Sequence, residues 1–87
     1  MDLQDARKVI DEVNTELVPL IERRMDAVVE VTRYKRESGM AVYDAERERL
    51  ILERVGEKVQ NPEYKASVQK IFQALMDVTK EYEEEHL

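Results

Sequence analysis

Arg24 and Lys35 stand eleven residues apart in a segment whose apolar spacing predicts a helix. Eleven residues are close to three full turns, so both side chains leave the helix on one face, about 16 Å apart along its axis. Val28 and Val31 lie between them on that face and would form an apolar floor. Two long cations leaning over such a floor can hold a small dianion. The alternative is that the Arg24 guanidinium extends past the apolar surface into water.

Arg7 is a further candidate for the same anion. It precedes Arg24 by seventeen residues, which is about 25 Å along a continuous helix. Arg7 therefore cannot reach the ligand held by Arg24 in its own chain. In an antiparallel dimer the first turns of one long helix approach the later turns of the other, so Arg7 would serve the partner's site.

Two later segments carry polar residues at spacings that suit a ligand. Arg47 follows a predicted helix cap at Asp44, and the adjacent Glu48 would either orient a ligand hydroxyl or pair with Arg47. Thr79 and Glu83 are one turn apart on a third predicted helix and therefore face the same point. Each of these pairs, taken alone, is also typical of a solvated helix face.

The side chains on which covalent and metal chemistry usually depends are missing. The chain has no cysteine, and its single histidine, His86, stands next to the C-terminus. Ser38 and Ser67 have no identifiable base, so a hydrolytic triad is unsupported. The carboxylates lack the spacing of a metal loop, and we expect neither a metal nor a cofactor. An enzyme with this sequence would work without covalent or metal catalysis.

Length and composition predict one small all-α domain that spans residues 1–87. Strong helix formers dominate, only 6% of residues are aromatic, and 43% are hydrophobic, which is too apolar for a disordered segment. The 20 acids outnumber the 14 bases and give a net charge of −6. Because phosphate recognition needs a basic surface, we expect no general nucleic-acid binding.

The sequence contains no apolar run of the roughly 20 residues that cross a bilayer. Its N-terminus, Met1-Asp2-Leu3-Gln4-Asp5, also lacks the charged-then-apolar form of a signal peptide. We therefore expect a cytoplasmic protein that does not associate with membranes.

The first predicted helix is long and runs from Leu3 to about Glu37, where apolar residues follow a heptad pattern. Pro19 lies inside it and removes one backbone hydrogen bond, which predicts a kink near Thr15. We prefer one kinked helix to two shorter ones because the apolar stripe keeps its phase across Pro19. Ser38-Gly39 supplies the stop.

Two shorter helices are predicted after an extended connector from Met40 to Tyr43. The second runs from Ala45 to about Val59 and is capped by Asp44. Asn61 is expected to cap the third helix, with Pro62 at its first position, and this helix continues almost to the C-terminus.

The length of the first helix predicts a dimer. About 33 residues span roughly 50 Å, whereas a compact chain of this size has a diameter of roughly 30 Å. One chain cannot cover that apolar stripe, so we expect a two-fold partner and an intertwined, antiparallel helical homodimer. An elongated monomer is the alternative.

Taken together, these positions closely resemble the all-helical class of chorismate mutases. The resemblance rests on Arg7, Glu22-Arg23-Arg24, Lys35, Val42-Tyr43-Asp44-Ala45-Glu46-Arg47-Glu48, and Phe72-Gln73 followed by Thr79. It covers nearly the whole chain and implies a three-helix homodimer with two shared sites. The implied reaction is the Claisen rearrangement of chorismate to prephenate in aromatic amino acid biosynthesis. This rearrangement needs no nucleophile and no net proton transfer. It therefore suits a chain in which no nucleophile with a neighbouring base can be identified.

The resemblance also implies how the cations would act. Arg7 of one chain would join Arg24 and Arg47 of the other in binding the two carboxylates of the substrate. Lys35 would bind a carboxylate and the ether oxygen, on which negative charge grows as the C–O bond breaks.

The remaining implied roles belong to polar residues of the second and third helices. Glu48, with the backbone near Asp44, would hold the ring hydroxyl, and Thr79 would stand near a carboxylate. The family usually has a glutamine, which donates a hydrogen bond to the ether oxygen, where this chain has Glu83. An ionised glutamate only accepts hydrogen bonds, so we expect Glu83 to be protonated in the productive complex and activity to be better at mildly acidic pH.

Two other functions remain open at the level of sequence. One is an isochorismate-pyruvate lyase on the same scaffold, which would also use a cation at Lys35. The other is a non-enzymatic helical dimerisation or regulatory module, in which Arg24 and Lys35 form interfacial salt bridges. The sequence also leaves open docking onto another enzyme of the aromatic pathway.

Overall fold

Three α-helices and one 3₁₀ turn form the computed structural model, which describes residues 1–87. The elements are α1 (Leu3–Ser38), α2 (Ala45–Lys58), the 3₁₀ turn (Pro62–Tyr64) and α3 (Lys65–His86). No strand is present. The prediction of an all-α chain with one long helix and two shorter ones is confirmed.

Helix α1 is bounded by clear caps at both ends. The Asp2 carboxylate accepts from the Asp5 backbone N–H at 2.8 Å, and the Asp5 side chain reaches back to the Asp2 N–H in a capping box. Gly39 ends the helix with φ 74° and donates its N–H to the Lys35 carbonyl, a conformation that favours glycine. The helix is continuous through Pro19, so the two-helix alternative is wrong, while the kink stays a prediction.

Helix α2 begins where the sequence predicts, but α3 begins later than expected. The Asp44 carboxylate caps α2 by accepting from the Arg47 N–H at 3.0 Å. Asn61 caps the 3₁₀ turn instead of α3, accepting from the Glu63 N–H at 3.0 Å. The Tyr64 N–H bonds to the Asn61 carbonyl at 3.0 Å, which is the i to i+3 pattern of a 3₁₀ turn. Pro62 therefore opens this turn, and the α-helix starts only at Lys65.

Helix α3 packs against both α1 and α2 and joins them into one unit. Gly56 permits a close approach of α2 to α3, because an added Cβ would lie 2.5 Å from the Gln69 amide nitrogen. That amide donates to the Leu52 carbonyl at 3.0 Å. Val28 of α1 and Met76 of α3 are the buried apolar residues where these helices meet. The packed region is thus concentrated in the C-terminal half of α1.

The N-terminal half of α1 is uncovered in the single chain. Its large apolar side chains are all exposed, namely Leu3, Val9, Ile10, Val13, Leu17, Val18, Leu20 and Ile21. The chain measures 52 × 25 × 16 Å with a radius of gyration of 15.8 Å, against about 12 Å for a compact chain of this length. None of the three helices is both long and apolar enough to cross a membrane.

Candidate active site

A pocket of about 260 Å³ opens where all three helices meet the connector between α1 and α2. This volume is near the lower end of those of small-molecule sites. Its lining consists of Arg24, Ala27, Val28, Val31, Lys35, Val42, Asp44, Arg47, Glu48, Ile51, Met76, Thr79, Lys80 and Glu83. Four cations and three carboxylates therefore surround one small, partly apolar space.

Helix α1 supplies one wall of the pocket in the arrangement that its spacing predicts. Arg24 and Lys35 both line the pocket, and Val28 and Val31 line it between them. Val28 is buried, whereas Val31 keeps part of its surface open. The proposed apolar floor with a cation at each end is thus present in the geometry.

Lys35 is held at its end of the pocket by two acceptors. Its ammonium donates to the Val42 carbonyl at 2.9 Å and to Glu83 Oε2 at 3.2 Å. Glu83 is only 2% exposed, so this is a buried ion pair whose attraction is weakly screened by water. A lysine has three N–H donors, which leaves one for a ligand without breaking either contact.

Arg24 is held at the other end by α3. Its Nη1 donates to Thr79 Oγ1 at 2.6 Å, and the Thr79 hydroxyl donates in turn to the Leu75 carbonyl at 2.8 Å. Thr79 thereby fixes the direction of the guanidinium, which keeps its remaining N–H donors. Arg24 is only partly buried, but its head bonds across to α3, so the interpretation of a side chain reaching only for water is wrong.

The start of α2 contributes its N-cap, Asp44, together with Arg47 and Glu48 from its first turn. Glu48 does not pair with Arg47, so that alternative is wrong. Its Oε2 lies 3.0 Å from the Lys80 ammonium, and its Oε1 accepts from the Gln73 amide at 3.2 Å. These contacts from α3 point the Glu48 carboxylate into the pocket.

Lys80 is the lining residue of clearest chemical interest that sequence reasoning missed. It contacts both Glu48 and Asp77, and its ammonium lies 4.8 Å from the centre of the Tyr43 ring. Its hydrogen bond to Glu48 raises the pKa of Lys80, and the hydrogen bond from Gln73 lowers the pKa of Asp77. The helical spacing of Lys80 and Glu83, three residues apart, places them on one face and was available from the sequence.

Arg7 and His86 lie outside the pocket. Arg7 is exposed on the uncovered half of α1. His86 is exposed and stacks on Tyr82 with ring centroids 4.0 Å apart. The pocket of one chain thus gathers all of the predicted site residues except Arg7.

The arrangement suits the binding of an anion more than covalent chemistry. No serine, cysteine or histidine lines the pocket, and the Thr79 hydroxyl is engaged by Arg24 and by the Leu75 carbonyl. Fixed cations at both ends can hold two negative groups and can stabilise charge that develops between them.

Comparison with known proteins gives one family. The sequence-family model for chorismate mutase type II matches residues 6–84. The chain is also similar to a chorismate mutase of Methanocaldococcus jannaschii, with 31% identity over 87 residues that cover 98% of this chain and 87% of the relative.

Proposed function

The chain belongs to the type II chorismate mutases, and from this premise we propose that its pocket between Arg24 and Lys35 converts chorismate to prephenate. The match spans almost all of residues 1–87, so we treat the chain as one catalytic domain. The family match and the relative both carry the name of the mutase, and neither favours a lyase or a non-enzymatic module.

The observation that carries the assignment of the site is the placement of one fixed cation at each end of an apolar floor. A flexible dianion reacts slowly because few of its conformers bring the reacting carbons together. Arg24 and Arg47 would bind its carboxylates, and the hydrophobic floor at Val28 and Val31 would support the ring. Held in this way, the substrate spends more of its time in the reactive chair.

Lys35 would supply the electrostatic part of catalysis. Negative charge grows on the ether oxygen as the C–O bond breaks, and a preorganised donor there stabilises the transition state more than the ground state. The free N–H of the Lys35 ammonium is suited to this oxygen. Glu83 lies 3.2 Å from the same ammonium, so a protonated Glu83 would provide a second donor beside it.

Glu48 and Thr79 would complete the contacts of the substrate. Glu48 is oriented into the pocket and can accept from the ring hydroxyl, with the backbone near Asp44 beside it. The Thr79 hydroxyl accepts a hydrogen bond from Arg24 Nη1 at 2.6 Å. This contact would keep the guanidinium directed at a carboxylate of the substrate.

The direct test is turnover by the purified protein, followed by loss of chorismate absorbance. We expect conversion of chorismate to prephenate, with isochorismate as the control substrate. Release of pyruvate from isochorismate at a higher kcat/KM than the mutase reaction would contradict the assignment. No turnover of chorismate would also contradict it.

The uncovered half of α1 supports a homodimer. Eight large apolar side chains on that half are exposed in the single chain, and their burial by a second copy would be worth about 25 cal/mol for each Å² removed from water. A two-fold antiparallel partner would cover them and bring its Arg7 to the open side of the pocket. Each site would then draw residues from both chains.

A mixing experiment tests whether Arg7 acts on the partner's site. Arg7→Ala and Lys35→Ala homodimers should each be nearly inactive. After random exchange of subunits, half of the dimers are mixed, and each mixed dimer has one site with both Arg7 and Lys35 intact. We therefore expect about a quarter of wild-type activity to return.

The control is a chain that carries both Arg7→Ala and Lys35→Ala. It is taken through the same exchange procedure and is expected to stay inactive. If mixing the single variants restores nothing although subunits exchange, Arg7 does not act across the interface.

A further inference from the structure

Lys80 lines the pocket from α3 and has no role in the mechanism above. Its side chain is 25% exposed, and that of its partner Glu48 is 15% exposed. We infer that Lys80 is a positioning residue that keeps the Glu48 carboxylate directed at the substrate's hydroxyl. This inference rests on the proposed function, because it concerns how that same site recognises its substrate.

The contacts of Lys80 come from three parts of the chain. The ammonium lies 3.0 Å from Glu48 Oε2 on α2 and 3.4 Å from Asp77 Oδ1 on its own helix. It also lies over the Tyr43 ring, on the connector, at 4.8 Å from the ring centre, which is within the range of a cation–π interaction. Lys80 is therefore fixed from three directions and has little freedom to move toward a ligand.

Glu48 is fixed in turn through both of its oxygens. Lys80 contacts Oε2, and the Gln73 amide donates to Oε1 at 3.2 Å while also donating to Asp77 Oδ1 at 3.0 Å. An ionised carboxylate has about four acceptor positions, so Glu48 can still accept a hydrogen bond from one substrate hydroxyl. Lys80 and Gln73 determine which way the free acceptor positions face.

Lys80 also compensates the negative charge of Glu48. A bare carboxylate at the edge of a site for a dianion would repel the ligand. The Lys80 ammonium compensates the charge of Glu48 locally, so Glu48 can accept from a hydroxyl without weakening the hold of Arg24 and Arg47 on the carboxylates. Sequence alone could not show this, because Lys80 and Glu48 belong to different helices.

The test uses two inert cyclic dicarboxylates that differ only in the ring hydroxyl. Wild-type protein should bind the hydroxyl-bearing compound about tenfold more tightly, as expected for a hydrogen bond to a charged group. In Lys80→Met this preference should fall toward one, chiefly through weaker binding of the hydroxyl-bearing compound, with a drop of about tenfold in kcat/KM for chorismate. Lys80→Arg should keep most of the preference.

Lys70→Met is the matched control, since Lys70 is an exposed lysine on the same helix, and it should bind both compounds as the wild type does. If Lys80→Met weakens both compounds equally, Lys80 either binds a carboxylate or braces the fold, and the inference is overturned. An unchanged preference also overturns it. A wild-type protein that shows the preference but does not convert chorismate would overturn the proposed function alone.

A double-mutant cycle gives an independent measurement in the same protein. Glu48→Gln removes the charge that Lys80 compensates. If Lys80 acts through Glu48, adding Lys80→Met to Glu48→Gln should cost less than about threefold in kcat/KM, so the two effects do not add. Additive losses would overturn the inference.

Discussion

Lys35→Ala should lower kcat/KM for chorismate by about 10³-fold, the scale seen when one donor to a developing oxyanion is removed. The loss should fall mainly on kcat, because Lys35 is proposed to meet charge that appears only in the transition state. Steady-state kinetics of the purified variant measure both parameters. Size-exclusion chromatography beside the wild type shows whether the assembly is unchanged.

The buried ion pair makes the design of the control important. Glu83 is 2% exposed and pairs with Lys35 at 3.2 Å, so removing Lys35 alone leaves a buried carboxylate without its partner. The double variant Lys35→Ala with Glu83→Gln avoids that buried charge and should be about as inactive as the single variant. If its activity lies within tenfold of wild type, Lys35 serves only to neutralise Glu83, and its assignment as the ether-oxygen donor is wrong.

A second control addresses general loss of charge from α1. Arg33 is an exposed cation on the same helix and forms surface ion pairs only, which typically contribute little to stability. Arg33→Met should keep wild-type kinetics. The contrast between Arg33 and Lys35 separates a site effect from a change in the net charge of the protein.

The parts of the site that could be predicted from the sequence are those fixed within one helix. The relation of Arg24 to Lys35 follows from helical periodicity alone, and so does that of Thr79 to Glu83. The caps at Asp44 and Gly39 follow from local hydrogen bonding in the same way.

What could not be predicted depends on how separate elements pack. The pairing of Glu48 with Lys80 instead of Arg47 is set by the crossing of α2 and α3, and no spacing within either helix encodes it. The three-residue error at the start of α3 has a local cause: Asn61-Pro62 satisfies the opening of a 3₁₀ turn as well as that of an α-helix.

The contact between Lys35 and Glu83 depends both on positions within each helix and on the packing of α1 against α3. Resemblance to the family placed both residues at the ether oxygen, and the structure adds that they pair directly with each other. An ion pair favours the ionised carboxylate, whereas the proposed catalytic role needs the protonated one. The proposed role of Glu83 therefore depends on a proton at its carboxyl group in the productive complex.

Glu83→Gln should change the pH dependence of the reaction more than any other single substitution in the pocket. In the wild type, activity should be higher at mildly acidic pH, because the proposed role of Glu83 needs a proton that the solution must supply, and kcat/KM should fall between pH 6 and pH 8. Glutamine donates a hydrogen bond at every pH. The variant should therefore show a nearly flat profile over this interval and exceed the wild type at pH 8, as measured by initial rates in buffers of constant ionic strength.

The groups around Glu83 leave few other sources for such a change. The titratable side chain that contacts Glu83 is Lys35, and the neighbouring acids of α3 are exposed to solvent. Glu85→Gln is the matched control, because Glu85 is an exposed acid near the same end of the helix, and it should keep the wild-type profile. If Glu83→Gln also keeps that profile and rate, Glu83 does not donate to the ether oxygen, and the fall in activity must come from another group.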